Sequence, residues 1–155
     1  MLKYYNYDIV FQEIPDEVTL AINITNCPNR CNGCHSPHLQ KDIGEELDEE
    51  VIVLLINKYA SAITCFCFMG GDGDSSRVAE LASFIRVYDP DIKVAWYSGC
   101  VGLPKGFDNS SFQYIKLGKY IEELGSLKSI TSNQQLFRIQ QDGHMEDITY
   151  LFKVH

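Results

Sequence analysis

Apolar positions in this chain gather into short β-branched or aromatic runs, separated by stretches whose apolar residues recur at helical spacing. Residues 18–24, with Val18, Leu20, Ile22 and Ile24, are almost continuously apolar and predict a buried strand. Residues 63–69, 92–97 and 112–117 repeat that pattern and predict three more. Residues 49–59 predict a helix, with Asp48 as its N-cap and Glu49 and Glu50 favourable in its first turn. A second helix starts after a cap at Ser75 or Ser76, runs to about Val87, and is stopped by Asp89-Pro90. Strands alternating with helices point to an α/β fold with a mostly parallel sheet. At the flanks, residues 4–11, 136–139 and 148–152 predict further strands, with residues 141–144 as the turn between the last two. Residues 100–111, rich in Gly, Pro, Asn and Ser, read as a loop.

The ends of the central strands carry the functional information. The first runs straight into a cysteine-rich segment, and the others end at Gly70-Gly71, Ser98-Gly99 and Gly118. In parallel α/β folds the carboxyl ends of the strands share one edge, and ligands bind there. Four loops suited to ligand contact are therefore expected on one rim. Gly70 and Gly71 would expose backbone to a small ligand, and Asp72 could accept a hydrogen bond from an ammonium or a ribose.

Composition narrows the class. With 155 residues the chain is read as one domain, 1–155, large enough to bury a core. It is too short for a complete eight-unit barrel, which needs roughly 200 residues or more. Its first residues lack the apolar core of a signal peptide, and its longest aliphatic run, residues 51–56, is far below a membrane span. A cytoplasmic location is the resulting expectation. The formal net charge of −8 argues against a nucleic-acid or anionic-membrane surface and permits docking to a protein with a basic face.

Six cysteines in a reducing compartment read as metal ligands or core residues. Cys65 and Cys67 share one side of their strand and read as small buried apolar groups; nothing in the spacing requires a second metal site with Cys100. Cys27, Cys31 and Cys34 are different. They sit in one loop with three and then two residues between them, beside Pro28, Asn29, Asn32 and Gly33, all suited to a tight wrap. Three thiolates hold three corners of an iron–sulfur cube and leave one iron open, whereas such clusters normally take four cysteines. The same cysteines with His35 or His38 would make a closed zinc site.

The segment from Cys27 to Pro37 has the cysteine spacing of radical S-adenosylmethionine enzymes, and its Gly33-Cys34-His35 ending closely resembles the activating proteins of anaerobic, class III ribonucleotide reductase. The resemblance continues through Met69-Gly70-Gly71-Asp72, Trp96-Tyr97-Ser98-Gly99, residues 114–120 and Ser132-Asn133-Gln134. It implies a shortened, open (β/α) barrel with one [4Fe–4S] cluster at its rim, held by Cys27, Cys31 and Cys34. S-adenosyl-L-methionine would chelate the fourth iron through its amino and carboxylate groups and lie against Gly33, Cys34, His35, Gly70, Gly71, Asp72 and Ser98. One electron would cleave its S–C5′ bond, and the resulting 5′-deoxyadenosyl radical would take a hydrogen atom from a glycine Cα of the reductase. The implied partners are that reductase and a flavodoxin-like electron donor. A homodimer is compatible with the resemblance, and nothing in the sequence sets a stoichiometry. Gln12-Glu13-Ile14-Pro15 stands where many members have a glycine-rich element, and Gln113 and Gln135 replace an acidic residue and an arginine.

Two other classes compete. A non-catalytic iron–sulfur carrier would normally want four protein ligands, because an open iron needs a substrate to fill it. A zinc domain has no use for the Gly70-Gly71-Asp72 turn on the same rim. Within the radical class, the alternative is an activator of another glycyl-radical enzyme, of the pyruvate formate-lyase type.

Overall fold

A computed structural model describes residues 1–26, 41–119, 121, 123–125, 127, 129 and 132–152. The elements in order are β1 (Lys3–Val10), β2 (Thr19–Ile24), β3 (Glu45–Glu46), α1 (Glu49–Tyr59), β4 (Cys65–Met69), α2 (Ser75–Tyr88), β5 (Lys93–Tyr97), β6 (Tyr114–Leu117), β7 (Gln135–Ile139) and β8 (Met145–Asp147). The strands form one mixed sheet in the order β3-β1-β2-β4-β5-β6-β7-β8. Its centre, β2-β4-β5-β6, is parallel, while β1 joins β2 and β7 joins β6 antiparallel. The described residues form an open α/β sheet and no closed barrel.

Strand parity sorts the side chains. Ile22, Ile24, Phe66, Phe68, Val94, Trp96, Ile115 and Leu117 face the two helices and join Ile52, Ile56, Leu81 and Ile85 in the main core. The alternate residues Cys65, Cys67, Ala95 and Tyr114 face the other way, where Ile14, Leu127, Leu136 and Ile148 cover them. Burial on both faces explains why the central strands are continuous apolar runs. Both strand cysteines are fully buried, as small apolar groups should be.

The β1–β2 connection lies across that second face. Ile14 is fully buried there, and the Tyr97 hydroxyl donates to the Glu13 carbonyl oxygen. Glu17 is the connection's main anchor. Its carboxylate accepts from Thr64 Oγ1 at 2.7 Å, Lys93 Nζ at 2.8 Å and Tyr114 OH at 2.9 Å, tying β2, β4, β5 and β6 together near one end.

Three details differ from the sequence reading. Residues 149–152 form a 3-10 turn rather than a strand, and the paired strand ends at Asp147. There the Asp147 carboxylate accepts from both the backbone N–H and the hydroxyl of Thr149, at 2.9 and 2.6 Å, which turns the chain out of the sheet. The cap of α2 is Asp74, accepting from the Arg77 N–H at 3.4 Å, because α2 already begins at Ser75. The two-residue strand β3 has no apolar pattern to announce it.

Candidate functional site at the strand-end rim

The four parallel strands end side by side. Asn23, Met69, Tyr97 and Lys116 are register partners across β2, β4, β5 and β6, so the turns that follow them emerge together. After β2, Thr25 donates its N–H to Lys3 O at 2.9 Å and its hydroxyl to Ile43 O at 2.7 Å. Asn26 takes a left-handed conformation, φ 59°, and donates its N–H to Lys41 O at 3.1 Å. Positions 26 and 41, which flank the cysteine segment, are therefore tied together at the carboxyl end of β2. Cys27, Cys31, Cys34, Gly33 and His35 themselves lie outside the described residues, as does His38 of the zinc alternative.

The Gly70-Gly71 turn is held from the β5 side. Gly70 donates its N–H to Tyr97 O at 3.0 Å, and its own carbonyl oxygen accepts the Trp96 indole N–H at 2.7 Å. Both glycines have positive φ, 110° and 93°, which other residues adopt only with strain. Gly71 has a second requirement: a Cβ there would stand 2.7 Å from Val78 Cγ2 of α2. Its carbonyl oxygen accepts from the Asp74 N–H at 3.0 Å.

Asp72 and Ser98 act together. Asp72 Oδ1 accepts from Ser98 Oγ at 2.6 Å, Asp72 Oδ2 accepts from the Gly99 N–H at 2.8 Å, and Ser98 Oγ accepts from the Cys100 N–H at 3.1 Å. Ser98 is fully buried, so its hydroxyl serves the β4–β5 junction. Ser98 N–H in turn donates to Lys116 O at 2.8 Å, and Gly118 N–H to Cys100 O at 2.6 Å, so the turns after β4, β5 and β6 form one bonded rim. Cys100, half-buried beside it, has its thiol pKa pushed up by burial and then by the Asp72 charge, which keeps it protonated at neutral pH.

A cleft of about 290 Å³ opens between the ends of β2 and β4, lined by Met1, Leu2, Thr25, Asn26, Gly71, Gly73 and Asp74, and the Met1 ammonium donates to Asp74 Oδ2 at 3.0 Å. The last described residue before the cysteines thus faces the glycine turn across one space. Among the described residues no group of three or more His, Cys, Asp or Glu side chains is placed to hold a metal.

Two contributions to this architecture were not apparent in the sequence. Glu17 precedes a strand and looks like an ordinary loop acid. Trp96 is the sole tryptophan, and its parity with Tyr97 left open which of them faces the core. No described helix is long and apolar enough to cross a membrane. No protein-family model matches the sequence, and no curated protein or solved structure matches it significantly.

Proposed function

We propose that this protein is a radical S-adenosylmethionine activase that installs a glycyl radical on an anaerobic ribonucleotide reductase. In this reading the sheet is the shortened, open (β/α) barrel of that class. Cys27, Cys31 and Cys34 hold one [4Fe–4S] cluster, which when bound supplies the electron that breaks the S–C5′ bond of S-adenosylmethionine. One observation carries the reading: Asn26, the last described residue before the cysteine segment, and Gly71 of the glycine turn line the same rim cleft.

The residues present suit the cofactor. Asp72 offers a carboxylate for the methionine ammonium, and the bonds from Ser98 and Gly99 fix where that carboxylate stands. The β1–β2 connection fills the second face of the sheet below the rim, so a substrate approaches from above. A glycine loop suits that approach, because its Cα carries no side chain and its radical is delocalised over two flanking amides.

The test is anaerobic reconstitution with iron and sulfide, then incubation with S-adenosylmethionine, a one-electron donor and candidate reductases. The expected outcome is a brown protein and a glycyl-radical resonance, with splitting that changes when the reductase carries labelled glycine. Single alanine replacements of Cys27, Cys31 and Cys34 abolish the cluster absorption, whereas Cys65→Ala and Cys100→Ala retain it. A colourless, zinc-loaded protein overturns the reading. A radical only on a pyruvate formate-lyase-type enzyme keeps the chemistry and replaces the partner.

A further inference from the structure

Trp96 has a role that its burial alone does not explain. It is 1% exposed, stacked on Phe107 and tilted against Phe112 at centroid distances of 5.1 and 6.1 Å, and a phenylalanine would fill much of that space. The indole adds one donor, and that donor is spent on the Gly70 carbonyl oxygen at 2.7 Å. With the Gly70 N–H already on Tyr97 O, both backbone groups of Gly70 are fixed by β5.

The orientation of the next peptide follows. No peptide bond is cis, and in a planar trans peptide the C=O and N–H point in opposite directions. The Gly70 C=O points to the indole, so the Gly71 N–H points away from that indole. Gly71 lines the rim cleft together with Thr25 and Asn26. Its N–H takes part in no hydrogen bond among the described residues.

We infer that Trp96 is a positioning residue: by holding the Gly70 carbonyl it turns the Gly71 N–H into the rim cleft as a donor for the carboxylate of an amino-acid ligand. This deepens the proposed function and rests on it, since the ligand there is the methionine end of S-adenosylmethionine. Of the two charged groups at that end, the carboxylate accepts from an N–H and the ammonium cannot. A charge-assisted bond of this kind is worth about tenfold or more in affinity.

The experiment compares Trp96→Phe with the wild type in the anaerobically reconstituted protein, measuring affinity for S-adenosylmethionine and for its decarboxylated analogue. Phe107→Leu is the control, because it disturbs the same aromatic cluster and leaves the indole N–H in place. The expected result is a loss of about tenfold or more for S-adenosylmethionine in Trp96→Phe. That loss largely disappears with the decarboxylated ligand and is absent in Phe107→Leu. Equal losses for both ligands, or the same loss in Phe107→Leu, reduce Trp96 to packing and overturn the inference while leaving the function standing. A wild type that binds neither ligand overturns both. Should Trp96→Phe not fold, hydrogen exchange of the Gly71 amide in the wild type decides. Slowing by S-adenosylmethionine but not by its decarboxylated analogue upholds the inference, and any other pattern overturns it.

Discussion

Asp72 shows how one side chain serves both fold and site. Its two oxygens accept from Ser98 and Gly99, so the carboxylate that would meet a ligand also closes the junction between the turns after β4 and β5. An asparagine has one acceptor oxygen, and its NH2 would face a donor. Asp72→Asn should therefore lower stability by about 1–3 kcal/mol in chemical denaturation and weaken S-adenosylmethionine binding by about tenfold. Ser98→Ala removes only one of the two bonds and should cost about 1 kcal/mol, with a smaller loss of affinity. Equal effects of the two substitutions on affinity would assign Asp72 to the junction alone. The position of Asp72 after a strand-end glycine pair was legible, because strand period and turn residues are local properties. Its partners were not, since Ser98 and Gly99 lie 26 and 27 positions away in the turn after another strand.

At the scale of elements, the glycine turn is shaped by α2 as much as by any ligand. A methyl group on Gly71 meets Val78 at 2.7 Å and imposes φ 93° on a residue with a Cβ. Gly71→Ala should cost about 2 kcal/mol or more by thermal or chemical unfolding. Adding Val78→Ala should relieve the overlap and leave the backbone strain, giving partial recovery; no recovery would mean that φ alone decides. Gly70 is the cleaner probe of cofactor contact, because a Cβ there meets only Ile24 atoms, at 3.4 Å or more, although φ 110° still strains it. Glu17 is the corresponding anchor on the second face. Its side chain is 5% exposed and accepts from three donors, so Glu17→Ala should cost roughly 3 kcal/mol by leaving Tyr114 and Thr64 without their acceptor. The helices and central strands were legible because burial on one or both faces writes a period into the sequence. Residues 45–46 and 148–152 were not, because a two-residue edge pairing has no period and the Asp147–Thr149 bonds override the β propensity of the tail.

Across the whole molecule, the sheet is open along its strand order, and the face away from the helices is closed by packing of the chain on itself. That face concentrates thiols and phenols. Burial pushes the Cys65 thiol up to about 12 from an ordinary 9.0, with the Glu17 charge adding to it. Cys67 is raised well above its ordinary value, first by burial and then by Cys65. Tyr97 is raised well above its own, by burial and then by Cys67. Tyr114 is pushed up to about 12 by burial and by its hydrogen bond to Glu17. Each group is neutral when protonated, and in each the fold favours that form. In the unfolded chain they release their protons near 9.0 and 10.0, whereas the folded chain holds them until about 12 for Cys65 and Tyr114. Between those values the unfolded state binds fewer protons, so stability falls as pH rises. The denaturation midpoint should be level up to about 9 and then drop steeply toward about 12. The same packing predicts that iodoacetamide modifies Cys65 and Cys67 only after denaturation, while half-buried Cys100 reacts in the native protein, slowed by its raised pKa. Peptide-level mass spectrometry reads this out. Native modification of Cys67, or a midpoint unchanged up to about 12, would mean that the second face is open to water and that Ile14, Glu17 and Tyr114 do not seal it.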